Sequence, residues 1–281
     1  MKLIMTLLVR DEADIIEANL SYHYAQGVDF VIATDNLSVD ETPKILKKYQ
    51  QKGLLHYIYE AEDNYAQNRW VTRMARMACI EYGADWVINN DADEFWWPEQ
   101  GNLKQYLSLL PAEITAVASQ RTNFLPRSLS LEGFFADIMT VREVNSFNAL
   151  GKPLPPKVCH RAYPDIEVAQ GNHSVYRNGE RIKTLDAPIT ILHFPMRSYY
   201  QFANKIDKGG AAYSRNNELP PNIGIRWRKW HEMLQAGALE DYYKTQLPDE
   251  KEIEKGILEG RYVLDERLKN FFKKIRFNKG I

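Results

Sequence analysis

The stretch Leu3-Ile4-Met5-Thr6-Leu7-Leu8-Val9 is an apolar run near the start of the chain, and it ends at the charged triplet Arg10-Asp11-Glu12. A run of this length is typical of a buried strand and falls well short of the roughly 20 residues that a membrane-spanning helix needs. A helical pattern follows over residues 13–26 and is closed by Gly27. The chain therefore opens with a strand followed by a helix.

The same alternation of strand and helix continues through the first hundred residues. It predicts further strands at 30–34, 54–59 and 86–88 and further helices at 40–51 and 65–82. Strands alternating with helices indicate a parallel sheet covered by helices. We therefore expect an α/β fold whose first half, residues 1–97, is a Rossmann-like nucleotide-binding unit.

The pattern changes after this first half. Residues 98–198 show irregular strands and loops rich in proline and glycine, which are common places for acceptor recognition. Beyond residue 198 the pattern is helical, with helices expected at 198–212, 225–234, 249–258 and 265–276. We expect a mixed central sheet in one catalytic domain, residues 1–198, and a C-terminal helical extension, residues 199–281.

Composition narrows the functional classes. The 281 residues carry a formal net charge of −1, so no overall field draws the chain to nucleic acid. Cys79 and Cys159 lack the spacing of a metal site, and the N-terminus does not resemble a signal peptide. These features predict free thiols in a cytoplasmic protein.

Four polar loops follow the four predicted strands, at residues 10–12, 35–38, 60–64 and 89–94. In open parallel sheets, ligands bind outside the carboxyl ends of the strands. Asp91 and Asp93 lie one residue apart in the last of these loops. Two such carboxylates can hold a hard divalent cation that also binds a diphosphate, although acidic loops often only cap helices or face solvent.

Several stretches resemble family 2-like glycosyltransferases with the GT-A fold. Residues 83–95, Gly-Ala-Asp-Trp-Val-Ile-Asn-Asn-Asp-Ala-Asp-Glu-Phe, are similar to the Asp-x-Asp region of that family. In the same order along the chain, residues 8–16 resemble its first-strand loop, residues 35–42 its second-strand loop, and residues 192–198 a late histidine motif. The matches run from about residue 4 to residue 198.

The resemblance implies a metal-dependent transfer of sugar from a nucleotide-sugar, a UDP-sugar by expectation, to a glycan or lipid-linked acceptor. It implies a Mn²⁺ or Mg²⁺ ion held by Asp91 and Asp93, with His193 as third ligand; the alternative for His193 is a hydrogen bond within the core. It also implies an inverting outcome and a place in cell-surface polysaccharide assembly.

Five residues are candidates for binding the nucleotide besides Asp91. Asp35 follows the second strand, where an acidic residue often meets the ribose or base, or else it only closes a turn. By resemblance, Arg10 and Asp11 line the same pocket. Arg73 lies on the helix before the fourth strand and Lys157 in the middle region, and both suit a phosphate, although a solvated or ion-paired surface charge is the ordinary alternative.

The catalytic base is not fixed by the sequence. An inverting transfer needs a base near the acceptor hydroxyl, and Glu94, Asp137 and His173 are the candidates. The chain lacks the Glu-Asp pair that many family 2 enzymes use, so spacing does not choose among the three.

The last basic segment, residues 266–277, is amphipathic and predicts a helix that packs its apolar face on the parent domain. Contact with an anionic membrane near a lipid-linked acceptor is the alternative.

Two rival functions remain, a nucleotidyltransferase and a nucleotide-sugar-binding module without turnover. The absence of a glycine-rich loop after the first strand argues against the first, and the presence of Asp91, Asp93 and His193 against the second.

Overall fold

The computed structural model describes residues 1–64, 66–130, 132–147, 151–215 and 224–278. The chain packs as two compact units. The first comprises residues 1–121 and 154–192, and the second comprises residues 122–153 and 193–281. The proposed functional division, with a catalytic domain at 1–198 and an extension at 199–281, stays a prediction.

The main sheet contains eight strands in the order β3-β2-β1-β4-β8-β6-β12-β5. Its first four are parallel and follow the predicted alternation. The first strand has the predicted bounds, and its apolar side chains are buried except for the partly buried Leu8. These four strands are β1 (Leu3–Val9), β2 (Phe30–Asn36), β3 (Leu55–Glu60) and β4 (Trp86–Asp91).

The second half of the sheet runs antiparallel where it meets the first. Strand β8 (Lys157–Arg161) pairs with both β4 and β6 (Ala116–Asn123). Ile88 lies opposite Cys159, so the start of β8 lies beside the carboxyl end of β4. The remaining two strands are β5 (Glu94–Pro98) and β12 (Leu185–His193). The predicted α/β class with a mixed central sheet is confirmed.

The helices of the nucleotide-binding half are shorter than predicted, while two of its strands extend further into polar sequence. Strand β2 includes Asp35 and Asn36, and β4 includes the polar run from Asn89 to Asp91. Backbone pairing does not require apolar side chains, and buried polar groups are tolerated where they are bonded. The Thr6 hydroxyl donates to the Asn89 side chain at 2.9 Å. The helices of this half are α1 (Ile16–Ala25), α2 (Thr42–Gln51) and α3 (Gln67–Ile80). The short α4 (Leu103–Ser108) follows this half and was not predicted.

Three short strands of the first unit form a small antiparallel sheet, and two strands of the second unit form another. A 3-10 turn, Gln170–Asn172, precedes β10. The strands of the first sheet are β9 (Ile166–Val168), β10 (Val175–Arg177) and β11 (Glu180–Arg181). Those of the second are β7 (Val141–Glu143) and β13 (Tyr262–Leu264).

The second unit is rich in helices, as its sequence predicts. The helix α8 was not predicted; it is short and amphipathic, and it buries Leu239 and Tyr243. The last helix buries Leu268 and Phe272, and the Phe272 ring contacts Phe134 edge-on. The prediction that this helix packs on its own unit is therefore confirmed for these side chains. The helices are α5 (Phe135–Ile138), α6 (Tyr199–Arg215), α7 (Ile225–Gln235), α8 (Leu239–Thr245), α9 (Glu250–Leu258) and α10 (Arg267–Asn278).

Within the described residues, none of the helices has both the length and the apolar character required to cross a bilayer.

Candidate functional site

The turn between β4 and β5 carries Asp91 and Asp93, and helix α1 holds it in place. The fully buried Asn19 side chain donates to the backbone carbonyls of Ala92 and Glu94, each at 2.8 Å. Its own oxygen accepts from the Asn90 side chain at 3.2 Å. These bonds satisfy backbone groups that the turn leaves unpaired. The acidic loop is therefore fixed by the interior rather than by solvent.

Lys157 lies beside this loop because β8 runs antiparallel to β4. Its side chain is only 1% exposed, and its ammonium group donates to the Asp91 carboxylate and lies 3.2 Å from Glu94 Oε1. The other Asp91 oxygen accepts from the Asn172 amide at 3.3 Å. Asp91 is 30% exposed, so it is the part of this cluster that solvent reaches. A charge as buried as Lys157 requires such partners, because an unpaired ion in the interior is costly.

Glu94 is completely buried and forms ion pairs with two cationic side chains. Its Oε1 atom lies 3.3 Å from Arg121 Nη1 and 3.2 Å from Lys157 Nζ. Its Oε2 atom has no hydrogen-bond partner among the described residues. Arg121 is held further by the Pro155 carbonyl, which accepts from Nε at 3.3 Å and from Nη2 at 3.2 Å. Glu94 thereby fixes the positions of two positive groups.

The turn before β10 places Asn172 and His173 against the same charges. Gly171 and Asn172 both have positive φ, at 75° and 61°, and a Cβ atom on Gly171 would lie 2.6 Å from the His173 ring. Asparagine tolerates this conformation and glycine favours it. His173 Nδ1 bonds to the Pro156 carbonyl at 2.8 Å. Burial, with Lys157 and Arg121 nearby, lowers the pKa of His173 to about 3, so the imidazole is neutral at pH 7.

This lowered pKa predicts a stability that depends on pH. The pKa of His173 is about 3 in the folded chain against 6.5 for an unperturbed histidine. Between these values only the unfolded state binds the proton, so stability falls as the pH drops from 6.5 and is fully present above it. The free energy of unfolding of the wild type should therefore fall as the pH drops from 6.5 to 5. We expect this fall to be smaller in His173→Gln, by up to about 1.4 kcal/mol per pH unit.

Urea denaturation at pH 6.5, 5.75 and 5 measures this loss for both proteins. This window lies above the range in which unperturbed carboxylates titrate. The buried His23 and His160, whose pKa values burial lowers to about 4, contribute in the variant as in the wild type. Equal slopes for the two proteins would show that His173 is not the responsible group.

The loops after the first two strands are joined by hydrogen bonds. Asp11 has a φ of 52°, and its carboxylate accepts from the Val39 backbone at 2.7 Å. The Ser38 hydroxyl accepts from the Asp11 backbone at 2.9 Å. Asp35 is fully buried and accepts from the Ser38 backbone at 3.0 Å and from the Tyr57 hydroxyl at 2.7 Å. Burial and this bond raise the pKa of Tyr57, so its hydroxyl stays a donor.

Arg10 and Arg73 both form ion pairs with carboxylates near the end of β3. Arg10 Nη1 lies 2.6 Å from Asp63, and Arg73 Nη2 lies 3.1 Å from Glu60. The ordinary alternative of a salt-bridged charge therefore applies to both in this structure. Their contact with a nucleotide stays a prediction.

His193 and Asp137 lie in the second unit, whereas the cluster around Asp91 lies in the first. His193 Nδ1 bonds to the Asn123 side chain at 2.7 Å, which matches the hydrogen-bonded alternative for this residue. Asp137 lies in the short helix α5. Among the residues that the structure describes, no group of three or more His, Cys, Asp or Glu side chains is arranged to hold a metal ion. The ligand set of Asp91, Asp93 and His193 stays a prediction.

Two residues of the cluster, Arg121 and Asn172, were not among the predicted site residues. Arg121 lies inside β6, two residues after the buried run from Ala116 to Ser119, and the polar sequence around it gives no signal for a site. Asn172 lies in the Gly-Asn-His turn, which the sequence does mark as unusual. Neither position predicts a contact with Glu94 or Asp91, because these contacts depend on how β6 and β8 pair with β4.

The family follows from the sequence model that matches this chain. Residues 6–162, which contain the second half of β1, all of β2 to β4, the acidic loop and Lys157, match the model of glycosyltransferase family 92. The chain belongs to glycosyltransferase family 92. It is therefore a glycosyltransferase, as the resemblance implied, but the matching family is 92 rather than family 2. None of the curated proteins matches the sequence.

The chain is also similar to several solved structures, all at low sequence identity. Staphylococcus aureus TarS 1–349 in complex with UDP-GlcNAc is 13% identical over 93% of both chains, with a TM-score of 0.44. HddC from Yersinia pseudotuberculosis is 14% identical over 73% of this chain and 99% of its own, with a TM-score of 0.39. Glucosyl-3-phosphoglycerate synthase from Mycobacterium tuberculosis, in complex with Mg²⁺ and UDP, is 19% identical over 43% of each chain, with a TM-score of 0.31.

Proposed function

We propose that this family 92 chain transfers a sugar from a UDP-sugar to a glycan or lipid-linked acceptor. We propose that the transfer takes place at the carboxyl end of β4. The observation that supports the proposal is the cluster in which Lys157 and Arg121 are fixed by Glu94 beside the partly exposed Asp91. Preorganised positive groups of this kind stabilise the negative charge that develops on a departing diphosphate. Lys157 and Arg121 are the proposed diphosphate ligands.

The oxygen atoms of this cluster fit a hard divalent cation. Asp91 offers a carboxylate that solvent reaches, and the buried Asn172 Oδ1 and Glu94 Oε2 atoms have no hydrogen-bond partner among the described residues. Carboxylate and amide oxygens are the ligands that Mg²⁺ and Mn²⁺ prefer. We propose that Asp91 and Asp93 hold the Mn²⁺ or Mg²⁺ ion. When bound, the ion would supply positive charge to the leaving diphosphate.

The loops after β1 and β2 are the proposed nucleoside site. Asp11 and Ser38 join these loops, and Asp35 is oriented by Ser38 and Tyr57, so the protein itself holds these side chains in place. Rigid positioning of this kind lowers the entropy cost of binding. Asp35 and Asp11 are the proposed contacts to ribose and base, with Arg10 beside them.

Two of the three predicted candidates for the base are disfavoured by their surroundings. His173, with a pKa near 3, is poorly matched to accept a proton at neutral pH. Glu94 is completely buried and already neutralised by two cations, which favours a positioning role. Asp137 is a carboxylate, the usual base of an inverting transfer, and an inverting outcome is part of the proposal. A cytoplasmic location and contact between the lysines of α10 and an anionic membrane are also part of the proposal.

The experiment that tests this function combines binding and turnover. Isothermal titration with UDP in the presence of Mn²⁺ is expected to show binding, and hydrolysis of UDP-glucose, UDP-galactose or UDP-GlcNAc is expected to release UDP. Release that depends on Mn²⁺ or Mg²⁺ would support the metal assignment. Binding of UDP without release from any of these donors would contradict the proposed UDP-sugar turnover and favour a module that only binds nucleotide.

A further inference from the structure

Lys157 engages the carboxylate that the proposed cation site requires. Its ammonium group donates to Asp91, and the second Asp91 oxygen accepts from the Asn172 amide. Side chains of this chain therefore engage both oxygens of Asp91. A divalent cation that binds Asp91 must displace the ammonium group or share the carboxylate with it, and like charges this close repel strongly.

The formal charges in this cluster are already balanced. Asp91 and Glu94 carry two negative charges, and Lys157 and Arg121 carry two positive ones. His173 adds none at neutral pH, because its pKa is lowered. Asp93, the second proposed ligand of the cation, is buried and adds one negative charge. A divalent cation that enters alone therefore leaves an excess of one positive charge among these poorly solvated side chains. The diphosphate of a nucleotide brings the negative charge that compensates the cation.

The two carboxylates beside Lys157 differ in their freedom to exchange partners. Asp91 is 30% exposed, so water can solvate it when it changes partner, whereas Glu94 is 0% exposed and keeps its cations. An ammonium group has three donors, so Lys157 can stay with Glu94 and turn another donor toward a phosphate. Asn172 Oδ1, which has no partner among the described residues, can face a cation after the amide group turns over.

We infer that Lys157 couples cation binding to nucleotide binding: it keeps Asp91 occupied until a nucleoside diphosphate draws the ammonium group away, so that cation and nucleotide bind together. This inference rests on the proposed function. In this coupling Lys157 acts on the cation through Asp91, in addition to its proposed contact with the diphosphate. The coupling is reciprocal, so Mn²⁺ tightens UDP binding by the same factor by which UDP tightens Mn²⁺ binding.

The test measures Mn²⁺ binding directly, through the electron paramagnetic resonance signal of free Mn²⁺, with and without UDP. The wild-type protein is expected to bind Mn²⁺ at least about 10-fold more tightly when UDP is present. Lys157→Met removes the competing charge and is expected to bind Mn²⁺ alone at least about 10-fold more tightly than the wild type, with a smaller effect of UDP. Removing one partner of a buried ion pair lowers the stability of the fold, so urea denaturation must first show that the variant is folded. In this variant Glu94 keeps Arg121 as a partner.

Three controls keep the test decisive. Lys183→Met removes an exposed lysine of the same unit and is expected to behave as the wild type. Lys157→Gln serves if the methionine variant does not fold, and the wild-type comparison with and without UDP needs no variant. Two outcomes would overturn the coupling in a protein that still binds UDP. One is equal Mn²⁺ affinity of the wild type with and without UDP, and the other is a Lys157 variant that binds Mn²⁺ alone no better than the wild type. A protein that binds no UDP would refute the proposed function as well.

Discussion

Replacing Asp91 with asparagine is expected to lower the kcat/KM of Mn²⁺-dependent UDP-sugar hydrolysis by about 100-fold or more. The amide keeps the shape of the side chain and can still accept a hydrogen bond from Lys157, but it lacks the anionic oxygen that a hard cation requires. The fold should be little affected, because Lys157 keeps its buried partner Glu94. The measurement is steady-state release of UDP at saturating Mn²⁺, together with urea denaturation to confirm folding.

Asp165→Asn is the matched control for this variant. Asp165 is a partly exposed aspartate that pairs with Arg177 at 2.8 Å, outside the cluster around Asp91. Its replacement should leave turnover unchanged and cost less than about 1 kcal/mol of unfolding free energy. Wild-type kcat/KM in both variants would show that the assignment of Asp91 to the metal and the leaving diphosphate is wrong.

Replacing Glu94 with glutamine is expected to have the largest effect on stability. Glu94 is 0% exposed and lies within 3.3 Å of both Lys157 and Arg121. The amide leaves two buried cations with less negative charge around them, which should lower the free energy of unfolding by about 3 kcal/mol. UDP binding should weaken as well, because the two proposed phosphate ligands lose the group that positions them.

Glu99→Gln provides the comparison, since Glu99 is an exposed carboxylate just beyond β5, the strand that begins with Glu94. It should change the unfolding free energy by no more than about 0.5 kcal/mol. Urea denaturation of both variants measures the difference. A Glu94→Gln protein as stable as the wild type would mean that the two cations do not depend on this carboxylate.

The alternation of apolar and amphipathic segments was enough to predict the parallel half of the sheet. Strand β1 begins and ends where its apolar run does, and glycines end the helices that precede β2 and β3. The acidic loop was also found from the sequence, because Asp91 and Asp93 directly follow a buried strand. These features are local, and each depends on residues that are close in sequence.

Strand ends were harder to predict, because polar residues do not always end a strand. Asn89 and Asn90 continue β4 with side chains that are bonded inside the protein. Their bonding partners, Thr6 and Asn19, are distant in sequence. No local pattern contains that information.

Short-range hydrophobic patterns encode the α/β fold class, the parallel strands and the place of the acidic loop, so these features can be predicted from the amino-acid sequence. The shared contact of Lys157 and Arg121 with the buried Glu94 beside Asp91 becomes visible only in three dimensions. The antiparallel pairing of β8 with β4 brings these charges together from distant parts of the chain. The energy of buried charges depends on such neighbours in space, which a residue's position along the sequence does not reveal.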